Sequence, residues 1–139
     1  MANFQIFDPY LFDAEMRRDF DDFNERTGEA FDYDRVLSLV EDENIPLHFF
    51  AYDGDPSRGW CLVGLEYDAL TGERFVLGWL AYSPRRGSLL GQVYKDLERL
   101  AVAANADYVE IRTRLDKMAS NCLQSGYCKA EQIMRKRIK

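Results

Sequence analysis

Residues 83–113 read SPRRGSLLGQVYKDLERLAVAANADYVEIRT. Leu89/Leu90, Val93/Tyr94, Leu97, Leu100/Ala101 and Ala104 recur there at helical spacing, one apolar face over four turns. Gln92, Lys95, Asp96, Glu98 and Arg99 fall on the opposite face. Asp107 to Thr113, with Tyr108, Val109 and Ile111, follows as a strand. The loop that opens the helix is rich in Arg and Gly. A helix N-terminus presents unpaired N–H groups and a positive dipole end, which suit a pyrophosphate. Arg85 and Arg86 add charge, and Gly87 and Gly91 let backbone approach closely. A loop that only begins a surface helix uses the same residue types.

Upstream, Asn3 to Asp8 alternates like a short strand, and Phe12, Met16, Phe20 and Phe23 predict a helix over Tyr10–Arg26 stopped by Gly28. Its outward face is read as acidic: Asp13, Glu15, Asp19, Asp21 and Asp22. A second helix is expected over Asp34–Glu43, with Val36, Leu37, Leu39 and Val40 buried. The period then switches to two. Strands are expected at Leu47–Tyr52, Trp60–Tyr67 and Arg74–Tyr82, with turns at Gly54–Ser57 and Asp68–Gly72. Asp116–Gln124 reads as a short helix before Ser125-Gly126, and Tyr127–Lys139 leaves room for one strand or a short hairpin. The order is β-α-α-β-β-β-α-β-α-β. An antiparallel meander followed by a βαβ crossover implies one α/β domain, residues 1–139, with a central mixed sheet and helices on both faces.

The 139 residues are 47% apolar, enough for one core, and carry a formal net charge of -6. That sign disfavours nucleic acid and anionic membranes. Residues 1–55 hold 15 acidic and 4 basic side chains, whereas residues 56–139 hold 9 and 14. The acidic half suits a cationic partner or an amine, and the basic half an anionic ligand; two solvated faces of opposite sign are the plainer alternative. Three cysteines, Cys61, Cys122 and Cys128, suggest neither a disulfide framework nor a zinc site, and point to a reduced cytoplasmic setting. The first residues resemble no signal peptide, and no apolar run approaches the length of a membrane span.

The order of elements and the stretch 83–113 resemble the GNAT N-acetyltransferases, whose acetyl-CoA motif is an Arg/Gly-rich loop opening a long helix. Residues 118–127, MASNCLQSGY, are similar to the next family helix, which ends in a Gly-aromatic pair, here Gly126-Tyr127. The resemblance implies acetyl-CoA held by Arg85, Arg86, Gly87, Ser88, Leu89, Leu90 and Gly91 at its phosphates, and by the backbone of Leu80, Ala81 and Tyr82 along its pantetheine arm. The family pattern Arg/Gln-x-x-Gly-x-Gly/Ala falls on Arg86, Leu89 and Gly91, with Leu89 in place of the middle glycine.

Acyl transfer to an amine needs a base for the incoming ammonium and an acid for the leaving thiolate. Several family members carry the base on the second meander strand, where Glu66 stands here, with Asp68 at its end. The family's tyrosine acid falls on Cys122, with Tyr127 and Tyr108 as substitutes. A small buried Cys and solvent-facing carboxylates are the competing explanations. His48, the only histidine, is expected to be a structural partner rather than a base. The basic tail, Arg135, Lys136, Arg137 and Lys139, suits an anionic partner or the cofactor's 3′-phosphate. The expected function is therefore acetyl transfer from acetyl-CoA to an amine, small or protein-borne, with a cationic acceptor favoured by the acidic half. The alternative is an inactive interaction or structural protein of the same fold. Short diverged members of this kind look like ones carried by phages, which would place the protein in host cytoplasm or virion. The short C-terminus raises the further expectation that a second subunit, as a homodimer, or another protein completes the sheet edge.

Overall fold

The computed structural model describes residues 3–84, 90–113 and 116–139; of Leu90, Gly91, Asp116 and Lys117 it describes the backbone alone. The elements run β1 (Phe4–Ile6), α1 (Asp13–Thr27), α2 (Tyr33–Glu41), β2 (Leu47–Tyr52), β3 (Trp60–Tyr67), β4 (Arg74–Tyr82), α3 (Leu90–Ala103), β5 (Tyr108–Ile111) and α4 (Asp116–Gln124). The five strands form one sheet in the order β1-β2-β3-β4-β5. Neighbours are antiparallel through β4, and β5 runs parallel to β4. A parallel neighbour requires a long crossover, and α3 supplies it.

Local chemistry sets the helix ends. Asp8 caps a 3-10 turn over Pro9–Phe12, so the expected first helix begins as that turn and becomes α-helical only at Asp13. Gly28 ends α1 at φ 72°, its N–H bonded to Asn24 O at 2.9 Å, a left-handed conformation that favours glycine. The Asp32 carboxylate caps α2 through the N–H groups of Asp34 and Arg35.

The strands alternate between two cores. Trp60, Leu62, Leu80 and Tyr82 join Met16 and Phe20 of α1 and Tyr33 and Leu37 of α2 on one face. Cys61, Val63 and Val76 meet Val93, Leu97 and Ala101 of α3 on the other. Residues 60–63 of β3 are consequently all buried, as expected of a strand covered on both sides. Aromatic stacking organises the first core: Trp60 lies between Phe20 (5.1 Å, 8°) and Tyr82 (5.6 Å, 24°), with Phe49 edge-on.

Four expectations need correction. Leu39 is exposed, because α2 turns only one narrow stripe, centred on Leu37, to the sheet. Asp96 is 6% exposed rather than solvent-facing: it accepts hydrogen bonds from Tyr52 Oη (2.5 Å), Arg99 Nη1 (3.0 Å) and Gln92 Nε2 (3.2 Å), which compensate its burial. His48 is exposed on β2. Finally, residues 127–139 form no strand, and Ile133, Met134 and Ile138 are exposed. Adjacent Ile133-Met134 and the run Arg135–Arg137 break the two-residue alternation that a half-buried strand needs.

Candidate active site

Strand β4 outruns its neighbour. Its register with β5 is Phe75↔Tyr108, Val76↔Val109, Leu77↔Glu110 and Gly78↔Ile111, and ends there. On the β3 side, Leu62 pairs with Leu80 but Val63 pairs with Gly78. Trp79 is thus an extra residue, a bulge, and a bulge bends its strand. Residues 80–82 keep β3 on one edge, and residues 79–82 have no strand partner on the other among the described residues. An extended backbone open on one edge can accept an added strand-like ligand.

The end of this segment is pinned by α1. Arg26 Nη1 donates to Ser83 O at 3.0 Å, Arg26 Nη2 pairs with Asp22 Oδ2 at 2.7 Å, and the guanidinium lies over the Tyr82 ring, 5.4 Å from its centre. Tyr82 Oη donates to Asp22 Oδ2 at 2.8 Å, and Trp60 Nε1 to Asp19 Oδ2 at 3.0 Å. Asp19 and Asp22, expected on an outward face, therefore turn toward the sheet, because two large aromatic side chains bring polar hydrogens that need acceptors. Burial pushes the Asp19 carboxyl up, against the opposing effect of the Trp60 hydrogen bond. Burial and the bond to Asp22 push Tyr82 up to about 12. Leu80 and Tyr82 turn their side chains into the α1 core, and Ala81 packs beside Val93 on the α3 face. A cavity of about 30 Å³, lined in part by Cys61, Ala81, Tyr82, Ser83 and Val93, lies beneath the point where β4 leaves the sheet.

Arg85, Arg86, Gly87, Ser88 and Leu89 lie outside the described residues. Leu90 and Gly91 are the first two residues of α3.

On the α1/α2 face of the sheet, next to the divergence, three strands together form two rows. Gly64, Leu77 and Glu110 are in register, as are Glu66, Phe75 and Tyr108. The point where a Cβ would stand on Gly64 lies 3.1 Å from Trp79 Nε1 and 3.5 Å from Glu66 Oε1. The missing side chain leaves room for the indole. Trp79 is 39% exposed, and the Arg112 guanidinium lies 5.5 Å from its ring centre. Arg112 Nε pairs with Glu110 Oε2 at 2.8 Å. Of this group only Glu66 and Tyr108 stood out in the sequence as site residues. A glycine inside an otherwise apolar strand was the available sign of close approach at Gly64.

Cys122 and Tyr127 belong elsewhere. Cys122 is buried, its Sγ 3.6 Å from Tyr94 Oη of α3, and the Tyr94 and Tyr127 rings are 5.6 Å apart. These three residues form a cluster between α3 and α4, on the α3 side of the sheet and away from the face that carries Glu66. Tyr127 Oη is buried without a hydrogen-bond partner among the described residues, and burial pushes it up to about 12. Tyr108 stacks on Phe75, 4.9 Å apart and within 5° of parallel. Among the described residues there is no group of three or more His, Cys, Asp or Glu able to hold a metal ion, and no helix long and apolar enough to cross a membrane.

No protein-family model and no curated protein sequence matches this chain. Solved structures do. The chain is similar to a possible acetyltransferase from Clostridium difficile 630, at 12% identity, TM-score 0.71, covering 100% of this chain and 99% of that one. It is similar to a transcriptional regulator from Bacillus halodurans C-125, at 14% identity, TM-score 0.70, covering 99% and 100%. It is also similar to a ribosomal-protein-alanine N-acetyltransferase from Brucella melitensis biovar Abortus 2308, at 14% identity, TM-score 0.66, covering 99% and 98%. Identities this low speak to architecture alone. The chain has the fold of the GNAT acetyltransferases.

Proposed function

We propose that this protein transfers an acetyl group from acetyl-CoA to an amine. The observation that carries the proposal is the unpartnered edge of residues 79–82 beside a sheet face bearing Glu66. The donor set fits the group. Amide N–H and C=O groups of Leu80, Ala81 and Tyr82 suit the amides of a pantetheine arm, and the start of α3 at Leu90 suits phosphate. Bound there, acetyl-CoA supplies an activated thioester. Arg26 holds Ser83, and through it the exit of β4, in place.

Glu66 takes the proton that the acceptor ammonium must lose before its nitrogen can attack. Trp79 and Glu110 hold the acceptor against the open edge, so positioning contributes most of the rate. A second proton ends on the departing sulfur. Tyr127, held at about 12, is a poor source for it, since a thiol ordinarily titrates near 8.5. We assign that proton to solvent at the open edge, and give Cys122 and Tyr127 a packing role.

A second reading, an inactive interaction protein of the same fold, is favoured by one feature: Cys122, at the family's acid position, is sealed against Tyr94. Calorimetric titration with acetyl-CoA and with CoA separates the two. Micromolar binding by the native protein, followed by acetylation in an amine screen, is the expected result. Binding by Leu89→Gly but not by the native chain would mean that the cofactor site has closed. Binding by neither would reject the acyltransferase reading.

A further inference from the structure

Resting on the acceptor side of that reading, we infer that Arg112 is a built-in occupant of a cation subsite, and that the acceptor is a dication, an alkyl diamine or a guanidino-alkylamine, which displaces it. The subsite is made of the Trp79 ring, the Glu110 carboxylate and the Glu66 carboxylate. An indole face is the strongest aromatic receptor for a cation, and a carboxylate beside it fixes the cation's direction. Arg112 already makes both contacts, over Trp79 at 5.5 Å and on Glu110 at 2.8 Å.

Its hold is weak, because the Arg112 side chain is 44% exposed and exposed pairs contribute little. Glu110, at 19%, belongs to the paired part of the sheet and stays in place, and the Trp79 indole is seated in the space that Gly64 leaves. Arg112 itself follows the last residue of β5 and stands at the divergence, so its side chain can leave without breaking a ladder bond.

The charge count selects the ligand. One carboxylate, Glu110, holds the resident cation; a second, Glu66, reaches the same space above Gly64 as the Trp79 indole and has no hydrogen-bond or ion-pair partner among the described residues. With Arg112 displaced, the site carries two negative charges around one aromatic face. A ligand with two cationic groups matches it. One group takes the place of the guanidinium on Trp79 and Glu110, and the other meets Glu66, the proposed proton acceptor. A monoamine satisfies only half of the site.

The experiment titrates the full chain, without acetyl-CoA, with 1,4-diaminobutane, 4-guanidinobutylamine and butylamine at fixed ionic strength, because exposed charges are salt-sensitive. Indole fluorescence and calorimetry are read together. Trp60 is 1% exposed and Trp79 is 39%, so an exposed-indole response reports Trp79. The expected results are binding of both dications, at least about tenfold weaker binding of butylamine, and a further tightening of about tenfold in Arg112→Ala, where the internal competitor is gone. Trp79→Leu should lose the preference, with near-UV circular dichroism showing that it remains folded. Equal affinity for dications and butylamine, or weaker dication binding in Arg112→Ala, would overturn the inference. Because no cofactor is added, cation binding can hold where acetyl-CoA binding fails, and the reverse, so the two proposals fail separately.

Discussion

Replacing Tyr52 by Phe tests how α3 is fastened to the sheet. Tyr52 Oη donates to Asp96 Oδ2 at 2.5 Å, and Asp96 is almost wholly buried. Burial and the facing carboxylate push Tyr52 well above the ordinary tyrosine range, so the hydroxyl keeps its proton and stays a donor. Hydrogen bonds to a charged group contribute roughly 1.5–3 kcal/mol. Removing one partner of a buried pair outright costs about 3–5 kcal/mol, but here Gln92 and Arg99 still serve the carboxylate. The expected cost of Tyr52→Phe is therefore about 2 kcal/mol, close to a thirtyfold change in the folding equilibrium. For a chain of this size that is a fall in Tm of about 7 °C. Asp96→Leu alone should cost a similar amount, since it orphans the tyrosine hydroxyl. The double variant should cost clearly less than the sum, because two apolar groups leave nothing unpaired. Urea unfolding with unchanged m-values measures the cycle. A coupling below about 0.5 kcal/mol would show that water serves both groups and that burial has been over-weighted.

Two further outcomes follow from the polar groups at the two cores. Asp19 titrates higher in the folded than in the unfolded chain, so its ionised form opposes folding. That penalty is absent below the unfolded value, near 3.9, and grows as pH rises through the window up to the folded value. Asp19→Asn keeps an acceptor for Trp60 and should flatten the stability profile in that window; an unchanged slope in chemical denaturation across pH 3.5 to 6 would refute this. Tyr127→Phe removes a buried hydroxyl that lacks a partner among the described residues, and should raise stability by about 1 kcal/mol without loss of acetyl transfer. A fall in kcat of a hundredfold or more would make Tyr127 the acid after all.

The contrast between elements explains which features a linear reading reaches. The bounds of β2, β3, β4 and α4 coincide with their expected ranges, and those of α3 fall within its expected stretch, because hydrophobic period and turn residues are local properties. Gly28 and the Asp32 cap likewise act on backbone within a few residues. The α/β class and the crossover of α3 follow from the same local order, since a helix between two strands of one sheet is the usual route to a parallel pair.

The site obeys different causes. Asp19, Asp22 and Asp96 look like solvated charges until aromatic hydroxyl and indole donors, 41, 60 and 44 residues away in the chain, come to meet them. Trp79 becomes a bulge only through the register of β3 against β4, and Gly64 makes room for it from the neighbouring strand. Arg112 meets Trp79 because β5 stops pairing at Ile111. Residue pattern alone thus determined the elements, their order and the chemistry available, whereas tertiary pairing decided which side chains meet and which charges are buried. The physical reason is range: backbone propensity acts within a few residues, but a hydrogen bond, an ion pair or a ring contact needs partners that only the folded sheet brings within a few ångströms.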